Sequence, residues 1–191
     1  MPCSRLLAAV LITATLTLSG GCTTPAPERA QGPQSADQLM RAEYDRALWA
    51  LKAERDEEAT ELLVAFIDKY PGHAGPWANL GILYTRAGKI DEAAQALQSA
   101  VELNPSNAQF HNQLGVVYRQ QGKFEEALRA YLEALKLNPD HALAHLNIGI
   151  LYDLYLSEPQ RAIGHYRRYQ ALSQNEDEMV NKWIVELERR I

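Results

Sequence analysis

Only two cysteines occur in the 191-residue chain, Cys3 and Cys22, and Cys3 lies in a segment that reads as a removable leader. A disulfide within the processed chain is thereby excluded. Basic residues are outnumbered, 19 Lys and Arg against 24 Asp and Glu, which removes the electrostatic basis for binding nucleic acid. It also leaves no basic patch for an anionic lipid surface. The chain has no Gly-rich phosphate loop and no nucleophile elbow, so neither a cofactor nor a catalytic residue is expected. The longest uncharged apolar run, Leu6 to Leu18, is too short for a bilayer span of roughly 20 residues.

That run has another use. Arg5 precedes it and Leu18-Ser19-Gly20-Gly21-Cys22 follows it, the layout of a signal-peptide h-region and its cleavage site. The site resembles the bacterial lipobox, which implies lipidation of Cys22 as the new N-terminus. The departure is Ser19, which stands where leucine is usual, and ordinary signal cleavage is the alternative. Removing Arg5 from the 19 Lys and Arg leaves 18 against 24 Asp and Glu, a net of −6 for the mature chain. Thr23 to Gln34 contains Pro25, Pro27, Pro33 and Gly32, a composition suited to a tether of up to ~35 Å at about 3 Å per residue. Thr23 occupies the position where aspartate would resemble the inner-membrane retention signal. The expected location is therefore the outer membrane of a Gram-negative envelope, on the periplasmic side, with lipid as the only membrane contact.

From residue 74 the chain repeats itself at a spacing of 34 residues. Trp77, Leu80, Gly81, Tyr84, Gly88, Ala93, Leu97, Ala100, Leu103, Asn104 and Pro105 recur as His111, Leu114, Gly115, Tyr118, Gly122, Ala127, Tyr131, Ala134, Leu137, Asn138 and Pro139. A third copy opens with Ala142, His145, Ile148, Gly149 and Tyr152, then runs one residue late at Ala162 and Tyr166, which places an insertion in its turn. Apolar residues three and four apart predict two amphipathic helices per copy. Gly88-Lys89 and Gly122-Lys123 break the pattern between them, and Asn-Pro closes the unit because proline biases the preceding residue away from helix. Self-similarity at this period is the mark of a solenoid.

These positions resemble the tetratricopeptide repeat. The resemblance implies an all-α, right-handed α-solenoid of helix-turn-helix units, in which Gly81, Gly115 and Gly149 let paired helices touch and Ala93, Ala127 and Ala162 face them. A degenerate first unit is expected at 40–73, where Glu43, Arg46 and Ala50 replace the signature residues but Ala59 and Pro71 keep their places. Ser35 with Gln38 offers it a capping box. The expected organisation is a signal peptide at 1–21, a tether at 22–36 and a repeat domain at 37–191. The domain divides into units 40–73, 74–107, 108–141 and 142–175 and a capping helix at 176–191. Val180, Trp183, Ile184, Leu187 and Ile191 give that last helix an apolar stripe to cover the open end of the stack.

Five histidines invite a metal or acid–base reading. His111 and His145, however, fill the aromatic position of Trp77 and read as packing residues. His141 and His145 share a spacing of four that can chelate a metal, but His141 falls at the turn after Pro139 and no cysteine adds a third ligand, so no metal site is expected. The acidic runs at 54–58 and 176–178 read as helix starts.

In the family, the first helix of each unit lines a groove. Carried onto this chain, the resemblance implies a partner-binding set of Asn79, Ile82, Arg86, Asn112, Gln113, Val116, Arg119, Asn147 and Ile150. Asn79, Gln113 and Asn147 would pair with a peptide backbone, Ile82, Val116 and Ile150 would form an apolar floor, and Arg86 and Arg119 would hold a carboxylate. An ordinary solvated helix face is the alternative. The chaperone-tail clamp is not reproduced, since Ala78 and Ile82 stand where polar groups are needed. The expected function is a noncatalytic scaffold for a protein or peptide partner in an envelope complex, similar in layout to repeat lipoproteins of pilus-secretin, TonB-type or cell-wall machinery. The alternative is an accessory subunit or enzyme acting on cell-wall substrate. Asp45 and Asp153, the only acids placed inside, lie three repeats apart, too far for a two-carboxylate mechanism needing ~5–10 Å.

Overall fold

The computed structural model describes residues 35–173 and 177–191. The leader, Cys22 and the tether lie outside the described residues, as do positions 174–176. Among the described residues all regular structure is helical: α1 (Ala36–Lys52), α2 (Asp56–Lys69), α3 (Ala74–Arg86), α4 (Ile90–Leu103), α5 (Ala108–Gln120), α6 (Phe124–Leu137), α7 (Ala142–Leu154), α8 (Pro159–Leu172) and α9 (Glu178–Arg190). Each helix packs on the next, the pairs α3–α4, α5–α6 and α7–α8 most extensively. In addition α3 touches α5 and α5 touches α7, and no comparable contact joins one even-numbered helix to the next. Drawing the first helices together and splaying the second ones curves the stack, with the odd-numbered helices on its inner side.

Caps and turns explain where the helices begin and end. Ser35 accepts from Gln38 N while the Gln38 side chain accepts from Ser35 N, a complete capping box. Asn107 and Asp177 cap α5 and α9 through their side-chain oxygens. Gly88 and Gly122 adopt φ of +71° and +74° in the three-residue turns, the left-handed region that glycine enters without penalty. One repeat earlier the same place is held by Glu54, at φ +57°, and the lengthened turn of the last unit turns on Ser157, at φ +54°. That turn spans Tyr155 to Glu158, one residue more than the others, and Pro159 then starts α8 at its first turn, where a missing N–H costs nothing.

Packing within each pair centres on one close approach, and the nearest neighbours of Gly81, Gly115 and Gly149 are Leu97, Tyr131 and Tyr166 in place of the expected Ala93, Ala127 and Ala162. A Cβ built on Gly115 would lie 2.6 Å from two ring carbons of Tyr131, and one on Gly149 would meet Tyr166 as closely. Tyr131 is fully buried and Tyr166 1% exposed; glycine makes room for a whole ring. In the degenerate first unit the corresponding pair is Ala47 and Leu63, both fully buried. A methyl is accommodated opposite leucine there, whereas in the next unit a Cβ on Gly81 would lie 2.6 Å from Cγ of the equivalent Leu97. At the far end Val180, Ile184 and Leu187 of α9 join Ile148, Leu151 and Tyr166 in one core cluster, so α9 covers the apolar face of α7 and α8.

Candidate partner-binding face

Two recurrent hydrogen bonds hold the inner layer in register. In three successive units the ring N–H at the aromatic position points back to the carbonyl of the closing proline six residues earlier. Trp77 Nε1 reaches Pro71 O at 3.2 Å, His111 Nε2 reaches Pro105 O at 2.8 Å, and His145 Nε2 reaches Pro139 O at 3.1 Å. Histidine replaces tryptophan here because both carry a ring N–H at the distance the turn needs. His141 instead caps α7, accepting from Ala144 N, and its Nε2 meets Gln109 Oε1 at 2.9 Å. The chelating spacing of His141 and His145 is thus used for two separate tasks. Among the described residues no group of three or more His, Cys, Asp and Glu converges as a metal site would require.

The second hydrogen bond runs between neighbouring odd-numbered helices at a separation of 35 residues. Asn79 Nδ2 donates to Tyr44 Oη at 2.9 Å, and Asn147 Nδ2 donates to Asn112 Oδ1 at 3.0 Å. Asn112 is 2% exposed, so its amide bridges α5 to α7 from inside the layer. The same step back from Gln113 leads to Ala78, whose methyl offers no acceptor. Gln113 is therefore the member of the Asn79–Gln113–Asn147 row whose amide this inter-helix bond does not engage. Sequence reasoning gave all three one role; the signal that separates them is the residue 35 positions earlier.

Beside that row Leu48, Ile82, Val116 and Ile150 form a second row, one per unit, each half-buried. Their side chains continue the core outward but stay within reach of a ligand. Arg86 is exposed and contacts Asp56 at 3.3 Å, a surface pair that contributes little. Arg119 is half-buried, with its guanidinium carbon 5.9 Å from the Tyr155 ring centre. Tyr131 Oη lies near it, but neither that hydroxyl nor Arg119 Nε is aligned in a hydrogen bond. Burial pushes the Tyr131 pKa up, and the Arg119 charge opposes that rise. The exposed ring of Tyr155, which also packs 4.6 Å from Phe124, is a feature of this face that the repeat pattern did not mark, because it lies in the lengthened turn.

Asp153 is held by the Tyr166 hydroxyl at 3.3 Å. Asp45, three units away, is exposed.

Comparison with known proteins agrees with this architecture. The sequence model described as "TPR repeat" matches residues 116–153, and the one described as "Tetratricopeptide repeat" matches 44–108 and 78–133. A search of curated proteins found no significant sequence match. Among solved structures the chain is similar to PilF of Pseudomonas aeruginosa, at 22% identity over 81% of this chain and 69% of that one, with a TM-score of 0.71. It is similar to the MamA protein at 19% identity over 80% and 82% of the two chains, TM-score 0.70. A Thermobaculum terrenum O-GlcNAc transferase shares 23% identity over 73% of this chain and only 27% of its own, TM-score 0.66. At these identities the likeness is one of fold. With both repeat models spread over more than half of its residues and the 34-residue register visible in the helices, the chain belongs to the tetratricopeptide repeat family.

Proposed function

We propose that this protein is a noncatalytic scaffold, anchored by a lipid on Cys22 at the periplasmic side of the outer membrane, that holds an extended or helical segment of a partner protein along its inner face. One observation carries the binding part of this reading. The row Leu48, Ile82, Val116 and Ile150 stays half-exposed in register across four units, beside Gln113, whose amide has no counterpart on Ala78. An apolar floor with a hydrogen-bonding edge suits a polypeptide, which offers apolar side chains and backbone amides together. The anchor rests on the apolar run before Cys22 and on the small residues Gly20 and Gly21 that precede it. The layout of leader, tether and repeats makes assembly of an envelope complex, such as a pilus secretin, the first setting to examine.

The test has two arms. Metabolic labelling with a palmitate analogue marks the wild type and not Cys22→Ser, which accumulates as uncleaved precursor; an unlabelled, normally processed wild type rules out the anchor. For the face, Gln113→Ala with Arg119→Gln lowers capture of the cross-linked partner by about tenfold for each 1.4 kcal/mol of lost contact. Glu125→Lys with Arg129→Glu, exposed on the outer helix α6, leaves it unchanged. The reverse pattern places the partner on another surface.

A further inference from the structure

At the C-terminal end of the inner face, α7 and α9 enclose a recess of about 290 Å³. Ile150 and Leu154 of α7 and Trp183 of α9 supply apolar walls, and Leu154 is 66% exposed. Asp153 also lines it, with Oδ2 accepting from the Tyr166 hydroxyl at 3.3 Å. Among the described residues no Lys, Arg or His lies within ion-pairing distance of Asp153. Glu186 and Arg190 of α9 border the recess as well, so its lining carries two carboxylates against one guanidinium and is net negative, with Asp153 the acid on the inner-face helix.

Size and chemistry select the occupant. At about 290 Å³ the recess is at the low end of ligand sites, which start at ~300 Å³, and has room for one long side chain. A purely apolar side chain would strip water from the Asp153 carboxylate without replacing it, and an acidic one would be repelled. A long aliphatic stem ending in a cation satisfies both parts, with the stem against Ile150 and Leu154 and the head at the carboxylate. The Trp183 indole adds a face to which a cation is drawn. Asp153 also stands one repeat beyond Arg119 in the same row of the inner face, so a bound segment would meet a positive group and then a negative one, which fixes its direction.

We propose that this recess binds a lysine or arginine side chain of the partner segment, with Asp153 as its counter-ion. The proposal rests on the reading that the inner face binds polypeptide. Its test uses capped Ala-Lys-Ala, Ala-norleucine-Ala and Ala-Glu-Ala tripeptides, added to the purified protein and followed through the Trp183 indole N–H in two-dimensional NMR, assigned with Trp183→Phe. The lysine peptide gives a saturable shift, the norleucine peptide binds at least about tenfold more weakly, and the glutamate peptide gives none. Asp153→Asn, which keeps the acceptor for Tyr166, weakens the lysine peptide about tenfold. Equal binding of lysine and norleucine, or no saturable shift at Trp183, overturns the proposal, and both are read on wild-type protein whatever Asp153→Asn does to folding. If partner capture still depends on Gln113 and Arg119 when the tripeptides fail, the recess assignment alone is wrong. If capture is indifferent to those residues, the inner-face reading fails with it.

Discussion

The glycine–ring contact inside each helix pair predicts a coupling that can be measured. Gly115→Ala should gain about 1 kcal/mol from helix propensity, but the new methyl would lie 2.6 Å from Cδ1 and Cε1 of Tyr131. A planar ring fully buried between α5 and α6 cannot yield by a rotamer change, and overpacking of this kind costs about 1–3 kcal/mol. The net expectation is a loss of up to about 2 kcal/mol. Tyr131→Leu alone leaves part of the ring's volume empty and costs about 2–4 kcal/mol, within the range for large-to-small core changes. Combined, the two recreate the pair that the first unit already uses, Ala47 against Leu63, each fully buried. On the Tyr131→Leu background Gly115→Ala should therefore cost less than in the wild type and at best return the propensity gain of about 1 kcal/mol, the second unit marking the tighter limit, since a Cβ on Gly81 would lie 2.6 Å from Leu97 Cγ. The cycle then shows an interaction energy of up to about 3 kcal/mol, within the range that contacting residues display. Urea unfolding followed by far-ultraviolet circular dichroism measures all four proteins. Additivity within about 0.5 kcal/mol, or a stabilising Gly115→Ala in the wild type, refutes the argument.

Three further outcomes follow from the same geometry. Glu54→Gly and Ser157→Gly should each raise stability by up to about 1 kcal/mol in thermal melts, since both residues hold positive φ at a cost of roughly 1–2 kcal/mol for side chains other than glycine, part of which glycine returns as unfolded-state entropy. Asn112→Ala should cost about 1–3 kcal/mol by leaving the Asn147 amide without its acceptor, whereas Gln113→Ala should change melting by under about 0.5 kcal/mol. His165 is held down to about 4 from its usual 6.5, first by burial and then by His145, whose Nδ1 lies 3.0 Å from its own. Above pH 6.5 that imidazole is neutral in folded and unfolded chains alike; below it only the unfolded chain takes the proton. Stability should fall between pH 6.5 and about 4 by at most about 3 kcal/mol, and His165→Gln should flatten that part of the curve of melting temperature against pH.

Much of the fold was legible because the repeat writes each contact three times. A close approach at Gly115 could be expected from the resemblance, although the side chain it meets is Tyr131 and not the expected Ala127, and the shifted turn of the last unit could be expected because Ala162 and Tyr166 arrive one residue late. Positive φ at Glu54 was not legible. Glutamate has no preference for that region, and only the backbone constraint imposed by packing α1 on α2 puts it there. The candidate site was less legible for a similar reason. Asn79, Gln113 and Asn147 are chemically alike and share one repeat position, yet their partners are set by what a different repeat supplies 35 residues earlier. A periodic pattern predicts what is common to the units and is silent on where they differ, and differences between units are what make one stretch of a repeat surface specific.

That asymmetry narrows where recognition can reside. Along the inner face the polar row is tied up at Asn79 and at Asn147 by bonds to Tyr44 and Asn112, and a ligand could engage those donors only by breaking contacts that hold neighbouring units together. Such exchange costs about what it returns. Gln113, on α5, has no such inter-unit bond; with Arg119, whose guanidinium faces the Tyr155 ring of the next unit, it flanks Val116 in the apolar row. A partner segment would gain most affinity per contact in the middle of the stack, where its polar groups meet donors that are not already satisfied. It would draw selectivity from the end where Asp153 stands. Binding centred on α5 would also bridge units on either side of it, and because stacked repeats depend chiefly on their neighbours, it would stiffen the solenoid where a break would propagate in both directions.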